Sequence, residues 1–201
     1  MNLFRLILVS SVILLGQLRG CTDKDRPQSY EVGEAYDLYS AILPNTTGLL
    51  IRDQTRTRDF CLSPLDQQAA QALDSAIKNY HELNDKPWHL ERRFVGARDY
   101  ELLPEEELDS TFDKGVSGNE SRKGWESFFK RHPASGGWVE FSAVGFNESK
   151  TIAVVYIGYH CGSSCEGGEF KAMEKNNGKW QLLTGKGKWH HCIWLVTDHT
   201  V

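Results

Sequence analysis

The segment WVEFSAVGFNESKTIAVVYIGYHCGSSCEGGEFKAMEKNNGKW, residues 138–180, determines the fold class that the sequence predicts. Its β-branched and aromatic runs are separated by short polar segments, which is the pattern of strands joined by turns. Asn177-Gly178 is a strong hairpin signal because a two-residue hairpin turn requires positive φ. The segment therefore predicts an antiparallel β-meander, with strands over 138–146, 151–159, 168–174 and 179–184 and a last strand over 192–197.

Toward the N-terminus, apolar residues recur with the 3.6-residue period of amphipathic helices. Residues 49–51 and 90–94 predict two short strands among these helices. Helices followed by strands indicate an α+β class, with N-terminal helices packed on one face of a C-terminal antiparallel β-meander. The predicted helices cover residues 34–43, Ser63 to residue 83, Pro104 to Phe112, and Ser121 to His132.

Length and charge limit the number of domains and the class of partner. A chain of 201 residues with 40% hydrophobic residues matches a single globular domain, which we place at residues 34–201. The chain has 23 basic and 27 acidic side chains. The resulting net charge of −4 argues against a nucleic-acid partner, which would require a basic face.

Residues 1–20 have the pattern of a signal peptide. A positive residue, Arg5, precedes an apolar run that is too short to span a bilayer. Leu18-Arg19-Gly20-Cys21 resembles the bacterial lipoprotein box, in which the Cys becomes lipidated, although Arg19 stands where a small residue is usual. A plain secretory signal and an uncleaved anchor are the alternatives. Residues 21–33 are polar and predict a flexible linker between a lipid on Cys21 and the domain.

The residue after Cys21 bears on the membrane to which the protein goes. Lipoproteins with Asp at this position are often retained at the inner membrane, and this chain has Thr22. The resemblance therefore implies an outer-membrane lipoprotein of the bacterial envelope that faces the periplasm or the cell surface. Loss of residues 1–20 would leave 21 basic and 27 acidic side chains, a net charge of −6.

Four further cysteines remain if Cys21 is lipidated, and an even number in an oxidising compartment predicts disulfides. Cys161 and Cys165 are close in sequence between two predicted strands, so we expect them to pair. That pairing would leave Cys61 and Cys192 to form a second bridge between the N-terminal half and the last strand.

A metal site is the alternative use of the same residues. Cys and His are the donors that zinc prefers, although the spacing here matches no standard zinc pattern. The two groups come from separate loops that a meander would bring together. The candidate ligands are His160, Cys161 and Cys165 with His190, His191 and Cys192.

The stretch from Trp125 to Trp180 resembles a family of uncharacterised bacterial exported proteins and lipoproteins. The resemblance rests on Trp125-x-x-Phe128-Phe129, Gly145-Phe146-Asn147, Ala153-Val154-Val155-Tyr156, Cys161-x3-Cys165 and Gly178-Lys179-Trp180. The family has no assigned activity, so it implies a fold and a location but no catalytic residue. The final hairpin is also similar to the last strands of the cone fold named after nuclear transport factor 2, which hosts enzymes and binding modules alike.

Motifs of the common enzyme classes are missing from the sequence. It contains no Gly-x-Ser-x-Gly elbow, no P-loop and no dinucleotide-binding glycine fingerprint. We therefore expect a non-catalytic binding or structural module of the envelope that needs no cofactor. Its expected partners are the membrane, through the lipid on Cys21, and another envelope protein. The alternatives are the small-ligand or metal-binding module above, and an enzyme that places a His–carboxylate pair in an apolar cavity.

Overall fold

The computed structural model describes residues 27–44, 46–58, 62–64, 67–95, 99–112, 119–183 and 189–191. The predicted signal peptide, Cys21, Cys61, Cys192 and the strand predicted over 192–197 lie outside these residues. The described helices are α1 Gly33–Ile42, α2 Gln67–Leu83, α3 Glu105–Thr111 and α4 Asn119–Arg131. None of them is long and apolar enough to cross a membrane.

Nine strands complete the described structure, and the predicted α+β class is confirmed. They are β1 Leu49–Arg52, β2 Leu62–Pro64, β3 Tyr100–Leu103, β4 Trp138–Phe141, β5 Gly145–Phe146, β6 Ile152–Gly162, β7 Cys165–Asn176, β8 Lys179–Leu182 and β9 Trp189–His191.

Seven strands form one mixed sheet in the order β3-β1-β4-β6-β7-β8, with β5 also paired to β6. The antiparallel meander predicted from residue 138 onward is present from β4 to β8. The sheet is larger than the predicted meander and is mixed, because β1 and β3 come from the N-terminal half and β1 runs parallel to both β3 and β4. β2 and β9 form a separate antiparallel pair.

Because side chains alternate along each strand, both faces of the large sheet carry apolar residues, and one face also carries charged residues. We call the side that carries Ile51 and Val139 the aromatic face, and the side that carries Arg52 and Glu140 the charged face. Helix α1 packs on the aromatic face, whereas α2 and the α3–α4 pair pack on the charged face. The expectation that helices cover one face was wrong, since both faces carry large side chains that must be removed from water.

The aromatic face is covered by tyrosines whose hydroxyls are bonded to the backbone. The Tyr39 hydroxyl donates to the carbonyl of Ser142 at 2.7 Å, and the Tyr30 hydroxyl accepts the N–H of Val144 at 3.0 Å. Tyr30 is only 2% exposed. The folded domain therefore begins before residue 34, and the linker predicted over 21–33 is shorter than expected.

Two local predictions were wrong where long-range contacts override the local signal. Ser63 and Pro64 do not begin α2, because they lie in β2, which pairs with β9. Residues 90–94 form no strand. The Leu90 N–H donates to the carbonyl of Asp53, and the edge strand of the sheet is β3 instead.

The hairpin predicted at Asn177-Gly178 is confirmed. Both residues have positive φ, 49° and 77°, as a two-residue hairpin turn of this kind requires. This turn sets the register of β7 against β8, in which Lys175 lies opposite Trp180.

A pair of glycines in the middle of the meander leaves room for larger neighbours. Gly158 on β6 lies opposite Gly168 on β7. A Cβ atom at position 168 would overlap the phenol oxygen of Tyr156, and a Cβ at position 158 would lie 2.8 Å from Cγ of Glu140. Strand glycines often mark such close approaches.

We expect Gly168→Ala to lower the free energy of unfolding by about 1–3 kcal/mol, because the added methyl group must displace the buried Tyr156 ring. Urea denaturation followed by circular dichroism measures the change. Gly136→Ala is the matched control, since a Cβ there meets nothing within 4 Å. Equal stability of both variants would contradict the packing described for Tyr156.

Candidate functional site: a buried charge cluster

Six charged side chains lie on the charged face between two apolar clusters. One apolar cluster joins the sheet to α3 and α4, and the other joins it to α2. The charged side chains come from β1 and the segment after it, from α3, and from β4, β6 and β7. We call them the charge cluster: Arg52, Arg58, Glu105, Glu140, His160 and Glu166.

The carboxylate of Glu140 is the centre of the cluster, and its side chain is 1% exposed. It accepts Nη1 of Arg52 at 3.0 Å and Nη2 of Arg58 at 3.1 Å. Nε2 of His160 lies 3.4 Å from Oε2 of Glu140, the oxygen that Arg52 also binds. Strand β4 places Glu140 directly opposite Gly158, where no side chain competes for the space.

Arg52 connects Glu140 to the start of α3. Its guanidinium also binds both carboxylate oxygens of Glu105, with Nε 2.6 Å from Oε2. The neighbouring Asp53 accepts the backbone N–H of Glu105 at 3.0 Å and so satisfies one of the free N–H groups at the start of the helix. These contacts fix α3 against the end of β1.

His160 lies between two carboxylates and on a tryptophan. Its Nδ1 is 3.0 Å from Glu166 Oε1, on the side away from Glu140. The imidazole stacks on Trp138 with ring centroids 4.7 Å apart and planes inclined by 10°. Trp138 lies opposite His160 in the β4–β6 ladder, so the strand register itself produces the stack.

The close packing of these charges shifts their pKa values. Burial alone would raise the pKa of Glu140, but the contacts with His160, Arg52 and Arg58 lower it far below its ordinary value. Burial alone would lower the pKa of His160, but the carboxylates of Glu140 and Glu166 raise it above 6.5. The contact with His160 also lowers the pKa of Glu166. The contacts within the cluster therefore favour the charged forms of Glu140, His160 and Glu166 together.

The arrangement is suited to holding charge and geometry rather than to transferring a proton. Both ring nitrogens of His160 face carboxylates, so neither is directed toward a reacting group. Arg58 is the member with donors to spare. Its Nη2 binds Glu140, whereas its Nε is buried with no acceptor among the described residues, and its side chain is 37% exposed.

Three of the six candidate metal ligands have other contacts in the structure: His160, Cys161 and Cys165. Cys161 and Cys165 form the expected disulfide across the tip of the β6–β7 hairpin, with Cα atoms 5.0 Å apart, so their sulfurs are not available as thiolates. His160 belongs to the charge cluster. The described residues contain no group of three or more His, Cys, Asp or Glu side chains that could hold a metal ion. His190 and His191 lie in β9, paired with β2.

Five members of the charge cluster were not predicted from the sequence: Arg52, Arg58, Glu105, Glu140 and Glu166. A signal for Glu140 was present, since a carboxylate in the alternating run Trp138-Val139-Glu140-Phe141 must face the same side as Trp138. Its partners could not be found in this way, because they come from segments far away in sequence.

In the β2–β9 pair, Leu62 lies opposite His191 and Pro64 lies opposite Trp189. Cys61 and Cys192 lie outside the described residues, so the disulfide predicted between them stays a prediction.

No protein-family model, curated protein or solved structure matches the chain.

We expect Cys61 and Cys192 to form a disulfide in protein purified from an oxidising compartment, because they are the two cysteines that remain once Cys161 pairs with Cys165 and Cys21 carries the lipid. Peptide mapping by mass spectrometry without reduction would detect the linked peptide, and reduced protein provides the control. Free thiols at both positions in the unreduced protein would contradict this pairing.

We also expect a specific pH dependence of stability. The carboxylate contributions of Glu140 and Glu166 are present above their ordinary pKa, near ~4.3, and are lost as the pH falls. The contribution of His160 is fully present below about pH 6.5 and is lost as the pH rises through its raised pKa. The charge cluster therefore stabilises the fold most between these limits.

His160→Gln should be less stable at pH 6 and should lose less stability than the wild type between pH 6 and pH 9. Urea denaturation across this range is the measurement. The wild type measured over the same pH range is the control. If the stability of His160→Gln falls as steeply between pH 6 and pH 9 as that of the wild type, groups other than His160 cause the loss of stability.

Proposed function

We propose that this chain is an exported lipoprotein of the bacterial cell envelope whose α+β domain is a non-catalytic binding module, with the charge cluster as its binding site. Export and lipidation are supported by the signal-peptide pattern and by Leu18-Arg19-Gly20-Cys21. The Cys161–Cys165 disulfide agrees with an oxidising compartment.

The position of the charge cluster is the observation that supports a binding role. Removing charges from water is costly, and a buried ion network often adds no stability over an apolar replacement. Here the network interrupts an otherwise apolar sheet face, between the α2 cluster and the α3–α4 cluster. Strongly perturbed ionisable groups of this kind concentrate at functional sites.

Two features favour binding over catalysis. The carboxylates of Glu105 and Glu140 are each bound to arginine, and His160 has a carboxylate at each ring nitrogen. A carboxylate bound to arginine is a poor general base, because its lone pairs are already engaged. Both ring nitrogens of His160 face carboxylates, although Nε2 forms no hydrogen bond among the described residues. The contact with Glu140 holds the guanidinium of Arg58 in one position. A group that is already fixed loses less entropy when it binds a ligand.

The anchor can be tested with the full chain, expressed with its own signal peptide in a Gram-negative host. Intact mass of the membrane-extracted protein should show cleavage before Cys21 and the added mass of a lipid. Cys21→Ser should move the protein from the outer-membrane fraction to the soluble periplasm. Cys165→Ser is the matched control and should keep the lipid, since this cysteine lies in the folded domain.

A cleaved, soluble wild-type protein without lipid would contradict the tether and indicate plain secretion. An uncleaved protein held in the inner membrane would contradict the lipoprotein assignment as well. Both outcomes concern location alone, so they leave the role of the charge cluster to be tested separately.

A further inference from the structure

A cavity of about 400 Å³ opens beside the segment that follows β1, at the solvent side of the charge cluster. It lies between this segment and the C-terminal end of α2. The volume is in the range of small-ligand sites. The described residues that line it are Thr57, Arg58, Tyr80, His81 and Asn84.

Arg58 is held rigidly at this cavity. One edge of its guanidinium is bound to the buried carboxylate of Glu140 at 3.1 Å. Its Cζ lies 5.4 Å from the centre of the Tyr156 ring, which supports the planar group. A guanidinium carries five N–H donors, and Glu140 is the carboxylate that Arg58 binds among the described residues. Arg58 therefore has both a fixed position and donors to spare.

The rest of the described lining is compatible with negative charge. The described lining contains no carboxylate that would repel an anion. Thr57 is exposed, so its hydroxyl is accessible to a ligand. At the C-terminal end of α2, the carbonyl of Tyr80 accepts both the N–H and the side-chain amide of Asn84, so this carbonyl does not face the cavity unpaired. Asn84 also binds the backbone of Ala143, so this wall is rigid.

We propose that this cavity binds the oxyanion group, a carboxylate or a phosphate, of a small ligand, with Arg58 as the principal donor. The inference rests on the binding role proposed above and names its ligand chemistry. The fork of a guanidinium matches the paired oxygens of either group. Glu140 positions Arg58 without occupying its remaining donors.

The probes are sodium phosphate and sodium succinate, each titrated into the full mature chain at constant ionic strength set with sodium chloride. The readout is the ¹⁵N–¹H signal of the Arg58 Nε group in nuclear magnetic resonance spectra. We expect a saturable shift with at least one probe. The probe that saturates at lower concentration distinguishes phosphate from carboxylate.

Arg58→Gln should weaken the binding of that probe by about tenfold or more, followed through the backbone signal of Thr57, because charge-assisted hydrogen bonds are lost. Arg58→Lys should give an intermediate affinity, since it keeps the charge but loses the fork. Arg92→Gln is the matched control and should bind as the wild type, because exposed Arg92 lies over Tyr100 at another surface.

Thr57→Val keeps the whole charge cluster and covers the case in which Arg58→Gln does not fold. It should weaken binding several-fold if the hydroxyl contributes to the cavity. A response that is not saturable with either probe would overturn the proposal, as would equal affinities in the wild type, Arg58→Gln and Thr57→Val. A lipidated protein that binds neither anion would leave the envelope assignment intact, whereas anion binding by an unlipidated protein would contradict the tether alone.

Discussion

The contact of the Glu140 carboxylate with two arginines and a histidine connects segments that are far apart in sequence. Arg52 ends β1, Arg58 follows it, and His160 ends the apolar part of β6. A buried carboxylate tolerates this position only because the cations surround it. Loss of one partner would leave a charge unpaired in the middle of the sheet face, so the strand order around β4 and the charge cluster support each other.

The two faces of the sheet differ in how much apolar surface they bury. The aromatic face is a continuous apolar core in which tyrosine hydroxyls reach backbone groups of the β4–β5 connection. It supplies the larger share of burial and therefore of the hydrophobic driving force. The charged face has two separate apolar clusters, and the gap between them leaves room for charges. The binding role proposed for this face would cost little stability, because the other face carries most of the apolar core.

The glycines and the disulfide shape the same region. Gly158 and Gly168 give room to Glu140 and Tyr156, and the Cys161–Cys165 bridge closes the hairpin just beyond His160 and Glu166. The sequence predicted the Cys161–Cys165 pair, but the role of the glycines depends on which strand lies beside β6.

Local chemistry in the sequence determined the α+β class, the hairpin at Asn177-Gly178, the Cys161–Cys165 pair and most helix positions, because periodicity and turn geometry act over a few residues. Tertiary structure alone decided that β1 and β3 enter the sheet in parallel, that Ser63 lies in a strand, and that Arg52 and Arg58 meet Glu140. These features depend on pairing between distant segments, and a buried charge becomes favourable only once its distant partner is in place.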